Sequence, residues 1–189
     1  MLRLPRLAVT AVCALSITGL AACGEEHEVK KGESEGIYVT VDHLKYQVQI
    51  SRILNQTDAE DRSYIEALGA TADKDLGPGE EWFGVFLRVE NEGDDAQVSS
   101  RDIRIEDTTG AEFEPLPLDG DSTPLAYFPA NLEPTQEIPS VGSIAQTTTT
   151  AGALLLFKLP RQNLENRPLE LIIKGEGAPA DEARVDLDV

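Results

Sequence analysis

The sequence predicts an all-β fold in which two antiparallel sheets pack face to face. Three observations support this prediction. Apolar and polar residues alternate along several short segments, turn-forming residues separate these segments, and the segments recur through one stretch of about a domain's length. The domain is predicted to occupy residues 37–189, which is long enough to bury a core without disulfides.

Each predicted strand repeats with a period of two, which is typical of strands that bury one face and expose the other. In residues 44–51, for example, the alternation places Val48 and Ile50 on the same buried face. Strands with this pattern are predicted within residues 37–42, 44–51, 83–90, 103–105, 169–173 and 185–189. The run 153–157 is apolar on both faces, as expected for a central strand or for one that a loop covers.

Turn chemistry connects these strands. Asn91–Asp95 and Asp107–Gly110 each combine an Asn or Asp at the start with a Gly that can adopt positive φ, so both are predicted hairpin turns. Several short strands joined in this way favour an antiparallel β-sandwich of immunoglobulin-like type.

Two insertions interrupt the pattern. Residues 57–69 begin with Thr57 and Glu60 at the spacing of a capping box, and they predict one short helix that ends at Gly69. Residues 116–150 are rich in Pro and Thr, which disfavours regular central strands. Because long loops without regular structure are uncommon unless they are functional or mobile, this second insertion is the first candidate for a binding surface.

The N-terminal segment has the layout of a secretory signal. Two arginines precede an uncharged run over residues 7–20, which is too short for a membrane-spanning helix. The sequence Leu20-Ala21-Ala22-Cys23 resembles the lipobox of bacterial lipoproteins. This resemblance implies a signal peptide over residues 1–22, cleavage between Ala22 and Cys23, and attachment of a diacylglycerol to the Cys23 thiol. An ordinary signal peptide that happens to be cleaved before a cysteine is the alternative.

Lipid attachment would place the protein outside the cytoplasm of a bacterium, anchored in the cell membrane by acyl chains such as palmitate. Two chains hold a protein stably, whereas a single chain gives only marginal binding. Cys13 leaves with the signal, so Cys23 is the only mature cysteine and no disulfide can form within the chain. Residues 23–36 are charged and punctuated by Gly, and they predict a flexible acidic tether.

The charge of the chain limits its partners. The sequence contains 16 basic and 34 acidic residues; loss of Arg3 and Arg6 with the signal leaves 14 basic residues and a net charge of −20. Such a surface repels nucleic acids and anionic lipid headgroups, so the membrane is expected as a partner only through the N-terminal lipid. The acidity favours solubility, or alternatively attraction of cations or of a basic protein.

The mature chain offers little catalytic chemistry. Its histidines are His27 in the predicted tether and His43 at a strand junction, where a surface turn is expected. Zinc sites of His/Cys type and blue-copper sites need more such ligands than the chain has. The sequence also lacks the common nucleophile, phosphate-loop and metalloprotease motifs. We therefore assign no catalytic, cofactor-binding or metal-binding residue, and we do not expect an enzyme.

Abundant carboxylates leave two alternatives open. Calcium needs six to eight converging oxygen ligands, and acidic residues cluster within 58–61, 90–95 and 119–121, although none of the clusters matches the twelve-residue calcium loop. A hydrolase with a pair of carboxylates is the other alternative.

Several packing and turn motifs resemble those of an immunoglobulin-like bacterial surface lipoprotein family of unknown function. The motifs are Gly79–Asn91, Ile105–Gly110, Phe113–Pro115, Gly152–Pro160 and Asn166–Leu171. They occur in the order of that family from about Tyr46 to Ile173, and they imply its fold and its surface location. No activity is established for that family, so the resemblance implies none for this chain.

These observations together predict a membrane-anchored extracytoplasmic lipoprotein that acts as a non-enzymatic binding module with a protein partner in the cell envelope. A carrier or sensor for a small ligand or for calcium is the alternative, and a hydrolase is the third option. An exposed patch containing Trp82 and Phe86 would favour the binding module.

Overall fold

The computed structural model describes residues 29–70, 72–121, 123–178 and 180–187. In chain order, the elements are β1 (Val29–Gly32), β2 (Tyr38–Val41), β3 (Leu44–Leu54), α1 (Ala59–Glu66), β4 (Glu80–Glu90), β5 (Gln97–Val98), β6 (Asp102–Glu106), β7 (Glu112–Phe113), β8 (Asn131–Leu132), β9 (Glu137–Ile138), α2 (Ile144–Thr147), β10 (Ala153–Pro160), α3 (Arg161–Leu164), β11 (Leu169–Lys174) and β12 (Glu182–Leu187).

Two five-stranded sheets form the sandwich. The β12 sheet has the order β1-β12-β11-β6-β7, and the β4 sheet has the order β10-β4-β3-β2 with β9 paired to the end of β4. The short strands β5 and β8 form a separate two-stranded sheet. All pairings are antiparallel except that of β1 with β12. The predicted all-β sandwich with a short helix in the first insertion is therefore confirmed.

The main core lies between the sheets, where the alternating side chains of both inner faces meet. From β4 it contains Phe83, Val85, Leu87 and Val89, which are fully buried. The other members are Val39, Val41, Leu44, Tyr46, Val48, Ile103, Ile105, Tyr127, Leu132, Ala153, Leu155, Phe157, Leu159, Leu164, Leu169, Leu171, Ile173, Ala183, Val185 and Leu187.

A β-bulge in β3 changes one detail of the predicted pattern. The register between β3 and β4 shifts between Val48 and Ile50, so Ile50 pairs with Phe86, which is not part of the main core. As a result Ile50 is 37% exposed and Ser51 is buried. The prediction that Ile50 shares the buried face of Val48 is wrong, because an extra residue in a strand reverses the faces of all residues that follow it.

The helix α1 also begins one residue later than predicted. Asp58 is its N-cap, and the Asp58 carboxylate accepts hydrogen bonds from the backbone N–H groups of Glu60 (2.8 Å) and Asp61 (3.2 Å). Thr57, the predicted cap, instead donates its hydroxyl to Asn55 Oδ1. Gly69 follows the helix with φ of +83°, as its predicted role at the C-terminus requires.

The N-terminal segment enters the fold earlier than predicted. Val29–Gly32 was expected within a flexible tether over residues 23–36, but it forms β1 and pairs in parallel with β12. Backbone hydrogen bonds to a sheet edge order this charged segment even though it buries little apolar surface. Residues 1–28, with the predicted signal peptide, Ala22, Cys23, His27 and the start of the tether, lie outside the described residues. Within the described residues, no helix is long and apolar enough to span a bilayer.

Candidate binding surface

The outer face of the β4 sheet is apolar and covered. Trp82 and Phe86 point away from the main core, yet both are 0% exposed. They lie in a second apolar cluster with residues of α1, β10 and the second insertion. Its other buried members are Leu54, Tyr64, Ile65, Ala67, Leu68, Leu154 and Leu156, and Ala72, Leu76, Leu116, Leu118 and Leu125 pack against it. The exposed patch of Trp82 and Phe86 that would favour a binding module is therefore absent.

An ion pair holds α1 against this face. Asp61, which is buried, lies 2.5 Å from Nη2 of Arg52 on β3 and accepts the Asn55 N–H at 2.8 Å. Burial acts to raise the pKa of Asp61, but the bonds from Arg52 and Asn55 outweigh it and lower that pKa. On the same face the ring of Tyr64 packs edge-on against Phe86 at 4.9 Å.

The second insertion is fastened to the free edge of β10. The N–H groups of Leu116 and Tyr127 donate to the carbonyls of Leu156 (2.7 Å) and Leu154 (2.9 Å), and the Leu154 N–H donates to Leu125 (2.8 Å). These bonds cover an edge strand that would otherwise expose unpaired backbone groups. The insertion therefore forms a second layer on the β4 sheet.

A buried tyrosine pair fixes the far side of this segment. The Tyr127 hydroxyl donates to the Ser100 carbonyl (2.8 Å), and the Ser100 N–H donates to the Tyr46 hydroxyl (2.8 Å). Burial raises the pKa of both phenols, so they stay neutral and bonded. Ser99 adds a bond from the Ala130 N–H to its hydroxyl at 2.9 Å.

Between these two attachments the insertion leaves an apolar groove of about 290 Å³. It lies where the edge of the β4 sheet, at β10, approaches β6 of the other sheet. Its lining residues are Arg101, Ile103, Pro115, Leu116, Pro117, Leu118, Tyr127, Phe128, Pro129, Leu154 and Leu155. Arg101 is the single charged residue among them, and the ring of Phe128 is 43% exposed at the rim.

The later part of the insertion carries the two most exposed large apolar side chains of the described residues. Val141 is 78% exposed and Ile144 is 61% exposed. The loop before them encloses a shallow cavity of about 310 Å³ that includes Ile138 and Val141. Ser143 caps the short helix α2 and so fixes the position of Ile144. We call Val141 and Ile144 the apolar tip.

The acidic clusters make local contacts. Asp58 and Asp61 cap and anchor α1, as described above, and Glu90 accepts bonds from Arg88 (2.8 Å) and the Tyr38 hydroxyl (2.9 Å). Asp119 Oδ1 accepts the backbone N–H of Asp121 at 3.1 Å. Across the described ranges, no group of three or more His, Cys, Asp or Glu side chains is arranged to hold a metal ion.

Asp107 is a buried carboxylate whose importance the sequence did not reveal beyond its place in a turn. It accepts the N–H groups of Thr109 (2.8 Å) and Ala111 (3.0 Å) and the side-chain amides of Asn163 (2.8 Å) and Asn166 (2.9 Å). Burial acts to raise its pKa, but these hydrogen bonds prevail and lower the pKa. The carboxylate joins a hairpin to α3 and to the segment that follows it, and its occupied oxygens suit a structural role.

Of the remaining predicted residues, His43 is described by the structure, whereas Ala22 and Cys23 are not. His43 is exposed in the tight turn between β2 and β3, with φ of +66°, as the sequence predicted. The lipid-attachment residue Cys23 and the cleavage residue Ala22 are outside the described residues, so they stay predictions.

Comparison with known proteins gives no family. No family model matches the chain, and no curated protein matches its sequence. Solved structures with a similar fold include the yjhA protein of Bacillus subtilis (11% identity, 82% of this chain and 99% of that chain, TM-score 0.48). An uncharacterized β-sandwich protein of Clostridium difficile 630 is also similar (9% identity, 85% and 97% coverage, TM-score 0.42).

A third similar structure is ycdA of Bacillus subtilis, described as a proposed lipoprotein. Its identity to this chain is 12% and the TM-score is 0.46; the likeness covers 82% of this chain but 39% of ycdA. The structural neighbours are thus bacterial proteins that include a β-sandwich of uncharacterized function and a proposed lipoprotein, and the finer family resemblance drawn from the sequence stays a prediction.

Proposed function

We propose that the protein is a membrane-anchored extracytoplasmic lipoprotein of a bacterium and serves as a non-enzymatic binding module of the cell envelope. The observation that carries this proposal is the second insertion, residues 116–150. It forms one side of the apolar groove and carries the apolar tip, and it is held in place by backbone bonds to β10.

The distribution of apolar surface supports a binding role for this insertion. The large aromatic residues of the β4 sheet's outer face are buried, whereas Val141 and Ile144 stand in solvent. Val141 and Ile144 are three positions apart in the sequence and are the most exposed large apolar residues of the described chain, and an exposed apolar patch is a feature of interaction sites. A protein partner in the envelope would bury the apolar tip in the centre of its interface.

The environment of the carboxylates supports a non-enzymatic role. The contacts of Asp61 with Arg52 and Asn55 lower its pKa, and several hydrogen bonds lower the pKa of Asp107, so both carboxylates are ionised near neutral pH. A general acid would need the opposite shift. Of the alternatives, the calcium carrier draws no support from the acidic clusters, whereas the groove favours binding of a small apolar ligand.

The position of β1 makes the proposed anchor short. Cys23 is six residues before Val29, and an extended chain of that length spans at most about 20 Å. Two acyl chains on Cys23 would therefore hold the domain close to the bilayer.

Anchoring is tested by growing cells with an alkyne analogue of palmitate. The wild type should incorporate the label and Cys23→Ala should not. Equal labelling of both proteins would overturn the anchoring part of the proposal.

Binding is tested by placing a photo-cross-linking amino acid at residue 144 and, as a matched control, at residue 53, an exposed isoleucine outside the insertion. On intact cells, residue 144 should give a discrete protein adduct that residue 53 lacks. Adding Val141→Asp should abolish the adduct, since a charge would have to be buried in the interface. The absence of an adduct at residue 144, or the same adduct at residue 53, would contradict the binding role.

A further inference from the structure

We propose that the groove binds one hydrocarbon chain of an anionic amphiphile and that Arg101 pairs with the acidic head group. This inference rests on the proposed function, because it takes the groove as the binding site of a domain tethered to a bilayer. It goes beyond that function by naming the class of ligand.

The lining fits a hydrocarbon chain. Ile103 and Leu155 come from the main core and form the inner side of the groove, while Pro115, Pro117 and Pro129 belong to the segments that cross it. Proline has a fixed φ and no N–H, so these segments present rigid apolar surface without backbone donors. A sugar or a nucleotide would leave its polar groups without partners here.

The volume fits a single chain. Binding pockets for small molecules usually enclose about 300–1,000 Å³, and a groove of about 290 Å³ lies just below that range, so it suits a small ligand such as one short hydrocarbon chain. The attachments of the insertion to β10 and to the Tyr46–Ser100–Tyr127 network keep the groove preformed.

Arg101 selects the head group. Most other basic side chains of the described residues form ion pairs, for example Arg52, Arg88 and Arg184. Arg101 makes no hydrogen bond or ion pair within the described residues, although acidic residues outnumber basic ones two to one. A guanidinium beside an apolar groove pairs well with a carboxylate or a phosphate, which it can bind through two parallel hydrogen bonds.

The strand register places Arg101 at the end of the β12 sheet where β1 begins. Arg101 immediately precedes Asp102, which pairs with Lys174; Lys174 pairs with Glu182, and Glu182 pairs with Val29. The start of β6 and the start of β1 therefore lie at the same end of the β12 sheet, three strand spacings or about 15 Å apart. Because Cys23 is at most about 20 Å from Val29, the Arg101 end of the groove lies at the end of the sheet nearest the proposed anchor. An acyl chain with an acidic head is the ligand that this location supplies.

The test uses the chain from residue 23 onward with Cys23→Ala, so that no attached acyl chain competes. Sodium decanoate and sodium octanoate, each below its critical micelle concentration, are titrated and followed by calorimetry and by amide NMR shifts. We expect amide shifts confined to Leu116, Leu118, Tyr127, Phe128 and residues 101–103. Decanoate should bind roughly fifteenfold more tightly than octanoate, because it has two more methylenes and each buried methylene contributes about a fourfold gain. Arg101→Gln should weaken decanoate binding roughly tenfold, and the control Arg62→Gln, an exposed arginine on α1, should not.

No saturable shift in the groove, equal affinity for the two chain lengths, or unchanged binding by Arg101→Gln would each overturn the amphiphile proposal. Such a failure is separate from failure of the proposed function, since the cross-linking experiment at residue 144 reports the apolar tip and uses no amphiphile. A protein adduct at residue 144 without decanoate binding would leave a protein-binding module and remove the ligand proposed here.

Discussion

The outer faces of the two sheets differ sharply. The β4 sheet carries Trp82 and Phe86 on its outer face and hides them under α1 and the second insertion. In the part of the chain that the structure describes, the β12 sheet carries ion-paired charged side chains on its outer face in place of an apolar cluster. Arg184 on β12, for instance, pairs with Glu170 (3.0 Å) and Glu182 (3.0 Å).

The charged face is a network that crosses the strands. Lys31 on β1 pairs with Glu170 (2.8 Å) and Asp186 (3.2 Å), which joins β1 to its neighbours. Ile172 lies on this face between Arg104 and Arg184 in register, and it is fully buried. In this register the two arginines flank Ile172, where their aliphatic stems are placed to cover it.

The comparison shows how the outward residues of a sheet decide where an insertion packs. The first insertion connects β3 to β4, and the second runs from near β7 of the β12 sheet to β10 of the β4 sheet. Residues of both pack on the apolar outer face of the β4 sheet. The second insertion, which covers this apolar face, also lines the groove and carries the apolar tip. The candidate binding surface is therefore a consequence of how the β4 sheet buries its second apolar side.

The largest effect is expected on the covered face. Phe86→Ala removes a fully buried ring from the second cluster and should lower the free energy of unfolding by about 3–5 kcal/mol. Urea unfolding followed by circular dichroism measures this change. A loss below about 1 kcal/mol would show that the insertion and α1 do not form a packed layer.

An intermediate effect is expected at Asp107, which joins a hairpin to the α3 region at one end of the sandwich. Asp107→Asn leaves at least one partly buried amide donor without an acceptor and should lower the free energy of unfolding by about 2 kcal/mol at pH 7. The exposed turn residue Asp94 serves as control, and Asp94→Asn should have little effect.

The pH dependence of this difference follows from the pKa shift. The pKa of Asp107 is lower in the folded protein than in the unfolded chain, where it is about 4. Its stabilising contribution is complete above pH 4 and declines as the pH falls toward the folded pKa. The stability gap between wild type and Asp107→Asn should therefore shrink between pH 5 and pH 2.5, and a gap that widens in this range would contradict the assignment.

The smallest effect is expected on the charged face. Arg184→Met keeps the stem that covers Ile172 and removes the charge, so the free energy of unfolding should change by about 1 kcal/mol or less. Urea unfolding in low and in 1 M salt measures it, and the difference between the two proteins should decrease in high salt. A decrease in the free energy of unfolding as large as that of Phe86→Ala would contradict the expectation that the charged face contributes less to stability than the apolar face.

The sequence was sufficient to predict the sandwich because period-two alternation and Asp/Gly turns are local signals. It was insufficient where partners are distant in the chain. The bulge that exposes Ile50 depends on register with β4, and the pairing of Val29–Gly32 depends on an open edge of β12 more than 150 residues away. Neither leaves a local mark in the sequence.

The candidate site could be predicted only as a region. Length and proline content pointed to residues 116–150, but the groove also needs Arg101 and Ile103 at the start of β6, and no local pattern links these residues to the insertion. The alternation in β4 showed Trp82 and Phe86 on the outer face, yet their burial depends on where two insertions settle. The apolar Tyr64 and Ile65 of the first insertion were a usable sign that something covers that face.

Native-state hydrogen exchange tests most directly whether the second insertion is a fixed layer that builds the groove. The N–H groups of Leu116 and Tyr127 donate to β10, so they should exchange within about tenfold of the central β4 amides and far more slowly than the exposed turn at 92–95. Exchange of Leu116 and Tyr127 as fast as that turn would mean that the insertion opens independently of the sandwich, which would contradict a preformed binding surface.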